Sequence, residues 1–394
     1  MAYTTTTKTS YGQRLTGSFK SIGIGLILFL AASILLFKNE GNFVRKKQSL
    51  NETEAITTHV NDLSQVEESL NGTVIHATAF AHTADILTDS QFGVSTVALK
   101  LTRSVAYYQY TEKVTTIKRD KIGGGQEEVK SYTYEKKWVS APVASEKFAD
   151  PAYQASNYVL ALLESETQFA ANVTFDAYRL PSFMVQSIEG SEDLDFSLSP
   201  ERLQYWERTL SDHQKALGLT AEEGTFVHQR ANTVYLGKSE VSPNIGDLKV
   251  TFTHIEPKEV SIIARVHQNT FEPYTAKNGK TFYSVAVGNV SAEAMFAGAH
   301  SANNFWTWIL RIGGIILIMI SLSMIFSILP TLFKVIPFLG KVVGAGVGLV
   351  CTVGGLAWSF LIISIAWLFY RPLIGIPLLL VTVAGFWFLR KKAK

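Results

Sequence analysis

Histidine is the side chain best suited to hold a metal or move a proton near neutral pH. This chain has eight: His59, His76, His82, His213, His228, His254, His267 and His300. None forms a His-Glu-x-x-His motif or a close pair with metal-ligand spacing. His76 and His82 are six apart, on one face of an extended segment, and two residues do not make a ligand set. Each histidine is read more simply as structural or surface. No Gly-x-Ser-x-Gly elbow occurs, and the one cysteine, Cys351, lies in an apolar run away from any aqueous substrate. Carboxylates are plentiful, but no pair stands out as acid and base. The run Gly344-x-Gly346-x-Gly348 looks like a phosphate loop, yet it sits inside uncharged apolar sequence with no strand before it. The residues thus call for no catalytic group, no metal and no cofactor, and for a protein that is not an enzyme.

The elements that must carry such residues are marked by an uneven charge distribution. All 33 Asp and Glu lie between Glu40 and Glu293. Residues 38–304 hold 25 of the Lys and Arg, a net of −8, while the flanks carry the other 11 basic residues and no acid. An acidic block between acid-free, apolar, basic-tipped segments is the pattern of a folded domain held between membrane anchors. The overall charge of +3 averages these regions and argues for no nucleic-acid partner. The acidic block lacks cysteine and is long enough to bury a core without disulfides.

Four uncharged stretches approach or exceed the length a bilayer core demands. They predict transmembrane helices over 21–37, 305–329, 342–370 and 372–389, with a tail at 1–20, an interfacial loop at 330–341 bracketed by Pro330 and Pro337, and a basic tail at 390–394. Trp306 and Trp308 suit the headgroup layer, and Arg311 is expected to snorkel outward. The small residues Ala31-Ala32-Ser33 offer a cleavage site, but apolar Ile34–Phe37 continues past them, which favours an uncleaved anchor. Lys8, Arg14, Lys20, Lys334, Lys341 and the basic tail share one face if the spans are four. The positive-inside tendency makes that face cytoplasmic and residues 38–304 extracytoplasmic, against the opposing cluster Lys38, Arg45, Lys46 and Lys47. Gly340, Gly344 and Gly348 form a helix-packing stripe, used by a neighbouring span or by a second copy.

The acidic block reads as α+β and β-rich. Alternation with period two predicts strands at Thr73–Ala79, Val105–Thr111 and Val129–Val139, the last two joined across a charged, glycine-rich tip at Lys118–Glu128. Later strands are expected at Phe226–Leu236, Leu248–His254, Glu259–His267 and Thr281–Val287, with Lys277-Asn278-Gly279-Lys280 as a hairpin turn. Helices are expected from Asp150-Pro151 to about Ala170, and from Ser199-Pro200 to about Leu217. An echo between Gly72–Ala79 and Gly224–Ala231 raises two related β-rich halves, with coincidence as the alternative. Asn51, Asn71, Asn172 and Asn289 match the glycosylation acceptor, which matters only in a eukaryotic host. Lys391 and Lys392 fix topology or, in a eukaryote, serve as a retrieval address to the endoplasmic reticulum.

Several residues also form a familiar ordered set. They are Asn39-Glu40-Gly41; Arg103, Tyr107 and Gln109; Tyr132, Tyr134 and Trp138; Gly246-Asp247-Leu248-x-Val250-x-Phe252; Pro273-Tyr274; and Ser291-Ala292-Glu293-x-x-Phe296. The clearest is Trp367-Leu368-Phe369-Tyr370-Arg371-Pro372-Leu373. In this order the chain resembles the LUMA, or transmembrane protein 43, family over nearly its whole length. The resemblance implies four spans and a large domain facing a lumen or periplasm. Animal members sit in the endoplasmic reticulum and inner nuclear membrane, self-associate, and contact lamins and emerin; those partners do not carry over to this chain. The family offers no catalytic residues to transfer.

The expectation is a multi-pass scaffold with membrane lipids around it, a homo-oligomer, and further membrane or extracytoplasmic protein partners. Its compartment is the inner membrane in a bacterium, or the endoplasmic reticulum and inner nuclear membrane in a eukaryote. An extracytoplasmic ligand- or lipid-binding envelope-stress sensor is the main alternative, and an enzyme of unknown type, which would need convergent polar groups in a cleft, is a third. Glu40 is expected to pair with Arg371 across the outer interface.

Overall fold

The computed structural model describes residues 3–217, 225–373 and 376–377. Helix α1 runs unbroken over Tyr11–Ile56, 46 residues, or about 70 Å at 1.5 Å per residue. Its start is set by a capping box, in which the Ser10 hydroxyl accepts from the Gln13 amide and the Gln13 side chain accepts from the Ser10 amide. Helix α2 (Pro200–Ala216) opens on a Ser199 cap with proline in its first turn, as the sequence predicts. Helix α3 (Ala292–Ile325) is capped by Ser291, α4 (Ile328–Phe333) is short, and α5 (Pro337–Tyr370) again begins at a proline.

Among the described residues three helices, α1, α3 and α5, are long and apolar enough to cross a membrane. They pack together through small residues, because lipid gives apolar helices no hydrophobic reason to associate. A Cβ at Gly25 would lie 2.9 Å from the Ser321 carbonyl oxygen, and one at Gly314 would lie 2.5 Å from Leu36. Ala32, Leu36 and Ile318 are buried between them, while Ile27, Leu30, Val350 and Phe360 face outward. The expected stretch 21–37 lies inside α1 and 342–370 forms the C-terminal part of α5, while 305–329 runs past the end of α3 at Ile325 into the start of α4. Apolarity marks only the part that lipid can surround, and the helical backbone continues where side chains dock on the β domain. The expected interfacial loop holds α4, and most of the expected fourth span, 372–389, lies outside the described residues.

Among the described residues two large sheets, with two two-stranded ribbons beside them, form the β domain. The first contains β1 (Tyr3–Thr9), β3 (Lys100–Asp120), β4 (Gln126–Val139), β5 (Val227–Arg230), β6 (Thr233–Leu236) and β7 (Leu248–Ile255) in the order β1-β4-β3-β7-β6-β5. The second centres on β2 (Val74–Thr83) and β8 (Lys258–His267), which pair antiparallel over eight residues. Three short strands, Thr270–Glu272, Tyr178–Leu180 and Val173–Phe175, lead from β8 back to β2 and close a five-stranded ring. Each sheet has its own core: Tyr107, Leu248, Val250, Phe252 and Trp206 in the first, Ile75, Phe175, Tyr178, Ile262 and Val266 in the second. The two cores are not successive halves of the chain. It passes between the sheets several times, and the echoed segment from Gly72 enters the second sheet whereas its counterpart enters the first.

The expected helix from Asp150 to Ala170 is absent. Turns and irregular chain lead to a strand at Glu166–Phe169. The cause lies in β3, where three side chains satisfy the backbone of this segment and remove the need for helical bonds. Arg103 donates to the Glu164 carbonyl at 2.9 and 3.1 Å. The Tyr107 hydroxyl accepts from the Leu163 amide and donates to its carbonyl. Gln109 donates to Tyr158 O at 3.1 Å and accepts from Val143 N at 2.6 Å.

The β3–β4 hairpin is longer than expected and its tip reaches the start of α1. Arg14 binds Asp120 at 2.9 Å and donates to Gly124 O at 2.9 Å, Gly123 N donates to Val335 O at 3.0 Å, and β1 pairs with β4 over seven residues. Residues 3–9 were expected as a cytoplasmic tail opposite residues 38–304; here a strand from one pairs with a strand from the other.

Candidate functional site at the helix–domain junction

Glu40 stands three residues beyond the first apolar stretch, on the face of α1 turned to α3 and α5, and is fully buried. A carboxylate there is stable only if charge and hydrogen-bonding capacity are both matched. Arg311 of α3 supplies a two-pronged match, with Nε to Oε1 at 2.5 Å and Nη2 to Oε2 at 2.7 Å. Trp367 of α5 donates its indole N–H to Oε2 at 2.8 Å. The Arg311 guanidinium also lies 4.9 Å from the Trp308 ring centre, a cation–π contact. One buried acid therefore gathers all three long helices.

The pairing differs from the expected one. Arg371 does not bridge Glu40; its guanidinium rests over Phe43 at 4.4 Å and Trp367 at 5.6 Å, and its buried Nη2 has no hydrogen-bond partner among the described residues. Arg311 points inward rather than snorkelling, because the lone acid at the edge of α1's apolar stretch faces it. The neighbours complete the lock. Asn39 donates to Thr307 O at 3.1 Å and Asn303 to Phe43 O at 3.2 Å. Tyr370 covers Gly41 so closely that a Cβ there would lie 2.6 Å from its ring. Arg371 ends α5, and Pro372 follows it with no amide to continue the ladder.

Gly246 and Asp247 lie elsewhere, at the start of β7. Gly246 has φ +94, the left-handed region, and the Tyr158 ring closes over it. The Asp247 carboxylate accepts from the Tyr235 hydroxyl at 2.5 Å and from Asn244 N at 2.8 Å. Burial pushes its carboxyl above the ordinary aspartate value, against the pull of those two hydrogen bonds. Burial and the adjacent carboxylate together raise the Tyr235 hydroxyl. This arrangement fixes a turn.

The glycine stripe is only partly used. A Cβ at Gly340 would lie 2.5 Å from Lys334 and one at Gly344 would lie 3.7 Å from Pro330, while one at Gly348 would meet nothing within 4 Å among the described residues. Among the described residues the contacts of Gly340 and Gly344 thus go to α4 and the turn that follows it. One close pair was not visible in the sequence. His59 Nδ1 lies 2.8 Å from His76 Nδ1, and His76 Nε2 lies 2.9 Å from Val290 O. The carbonyl can only accept, so neutral His76 carries its proton on Nε2 and His59 donates between the rings. The pair links the end of α1 to the start of α3, and His82, the expected neighbour, is exposed on β2. Among the described residues no group of three or more His, Cys, Asp or Glu could hold a metal.

A sequence profile described as "Transmembrane protein 43" matches residues 107–372, more than half of the chain. The chain belongs to the transmembrane protein 43 family. Among its relatives, Transmembrane protein 43 of Mus musculus is 26% identical over 373 residues, covering 92% of this chain and 87% of its own length. The Homo sapiens protein is 26% identical over 379 residues, covering 94% and 89%. The Transmembrane protein 43 homolog of Drosophila melanogaster is 26% identical over 375 residues, covering 93% of both. No solved structure matches. The names carried within the transmembrane protein 43 family describe a membrane protein and state no reaction. In this member the Asn39-Glu40-Gly41 and Trp367–Pro372 motifs, far apart in sequence, meet at the junction node.

Proposed function

We propose that this chain is a membrane-embedded scaffold that self-associates through its lipid-facing helices and presents the β domain to protein partners. The observation that carries this reading is mechanical continuity. Helices α1 and α3 leave the apolar zone without a break and enter the domain, where Leu50, Met295 and Phe296 share a core with Val74 and Ile263. Glu52 fastens the top of α1 by accepting from the Tyr274 hydroxyl at 2.7 Å and from Lys277 N at 3.1 Å. A domain set this firmly on its anchors suits display.

The proposal keeps the multi-pass arrangement, with the β domain extracytoplasmic and the basic ends inside. It carries a physical demand. The β3–β4 hairpin bears Glu112, Lys113, Lys118 and Glu128 and cannot lie in hydrocarbon beside the helices. In a bilayer its tip must therefore part from Arg14, or the bundle must sit so that water reaches the blade. The scaffold reading is tested by light scattering on the full chain in detergent. A defined oligomer is expected, and a monomer at every concentration removes the self-association half.

A further inference from the structure

Between α1, α3 and the turn at 277–280 lies a cleft of about 250 Å³. Its lower end, at Asn39 and Thr307, lies at the edges of the expected spans 21–37 and 305–329, where lipid headgroups are expected. Trp306 and Leu310 form the lipid-side rim, and Trp306 is 60% exposed, as a headgroup-layer aromatic would be.

The chemistry inside the cleft is cationic and hydrogen-bonding. Lys46 and Lys280 line it and no carboxylate does. The nearby acids are already occupied, Glu40 by Arg311 and Trp367, and Glu52 by Tyr274 and Lys277. Lys280 Nζ reaches only as far as Asn42 Oδ1, at 3.5 Å. Ser49 also lines the cleft; it is 2% exposed and its hydroxyl has no hydrogen-bond partner among the described residues. A helical serine ordinarily bonds the carbonyl four residues back, but Arg45 O instead receives the Asn278 side chain at 2.7 Å. A buried hydroxyl left unpaired costs about 1–3 kcal/mol, which a bound acceptor would offset.

We infer that this cleft binds the phosphate of an anionic phospholipid. Lys46 and Lys280 supply the countercharge, Ser49 donates to a phosphate oxygen, and the acyl chains descend past Trp306 and Leu310 into the bilayer. The volume suits a headgroup and not the chains, and the rim leads to lipid rather than to open water. The inference stands apart from the scaffold reading, since a monomer can fill the cleft and an oligomer can leave it empty.

The test is native mass spectrometry of the full chain in detergent, titrated with phosphatidylglycerol, with phosphatidylcholine, and with inorganic phosphate. Saturable binding of phosphatidylglycerol is expected, with phosphatidylcholine weak and inorganic phosphate unable to compete at equal concentration. The double variant Lys46→Gln/Lys280→Gln should bind phosphatidylglycerol roughly 30-fold more weakly, on the scale of about 1 kcal/mol per basic residue at an anionic surface. Ser49→Ala, which leaves both charges in place, should weaken binding several-fold. The control Lys113→Gln/Lys137→Gln removes the same charge from the hairpin blade and should bind as the parent does. Equal binding of both lipids, full competition by inorganic phosphate, an unaffected Lys46/Lys280 variant, or an equal loss in the control would each overturn the inference.

Discussion

Two carboxylates are almost equally hidden, and their surroundings give them different work. Glu40 sits where the helices leave the apolar zone and is matched by a guanidinium and an indole from two other helices. Asp247 sits in the β domain and accepts from a phenol and a backbone amide of its own neighbourhood. The first joins elements distant in sequence. The second closes a local turn, and its burial favours the protonated form. Burial alone therefore says little about a buried acid; the charge and origin of its donors decide its role.

The comparison is broken most forcefully by removing a cation. Arg311→Ala leaves Glu40 buried and unpaired and should lower stability by about 3–5 kcal/mol. Replacing both, as in Glu40→Leu/Arg311→Met, should cost distinctly less. Chemical unfolding in detergent measures both, and a double variant as unstable as the single would refute an ion-pair role. Next in size, Gly25→Val forces a side chain against the Ser321 backbone and should cost about 1–3 kcal/mol. Gly348→Val, with open space around it among the described residues, should leave thermal stability unchanged and alter only self-association.

Asp247→Asn should change stability by only about 1 kcal/mol, but its pH dependence is diagnostic. A carboxyl raised in the folded state contributes stability fully below its unfolded value of 3.8, and that contribution fades as pH rises through the folded value. The parent's advantage over Asp247→Asn should therefore be largest in acid and shrink above 3.8. Melting temperatures of both proteins across that range supply the check, and a gap that widens with pH would reverse the assignment. The smallest energetic effect belongs to Thr5→Cys/Lys130→Cys, a pair facing each other across β1 and β4. It should form a disulfide in detergent-purified protein. In native membranes the bond should fail to form if the β domain lies wholly across the bilayer from residues 1–20.

Much of the β domain was legible from alternation: β2, β7 and β8 lie close to the expected positions, and Gly279 at φ +78 confirms the turn at 277–280. Helix α2 was marked by its Ser199-Pro200 cap. What failed did so for tertiary reasons. Asp150–Ala170 contains good helix formers, yet Arg103, Tyr107 and Gln109 reach across from β3 and take over its backbone bonds. Local propensity cannot anticipate that. The junction is half legible: Asn39-Glu40-Gly41 and Trp367–Pro372 stand out as residues, but the sequence points to Arg371 rather than Arg311 as the partner of Glu40. A lone acid and a lone arginine, each at the edge of an apolar stretch, were the available signal. The His59–His76 contact carried none, since parallel pairing of a two-residue strand with β2 creates it.

The unbroken length of α1 gives bilayer thickness a lever arm. From its mid-membrane turns to Ile56 is about 40 Å of rigid rod, so a ten-degree tilt adopted in a thinner membrane would swing the far end sideways by about 7 Å. Because Glu40 ties α3 and α5 to the same rod, the three helices would lean together, and the β domain would follow as one body.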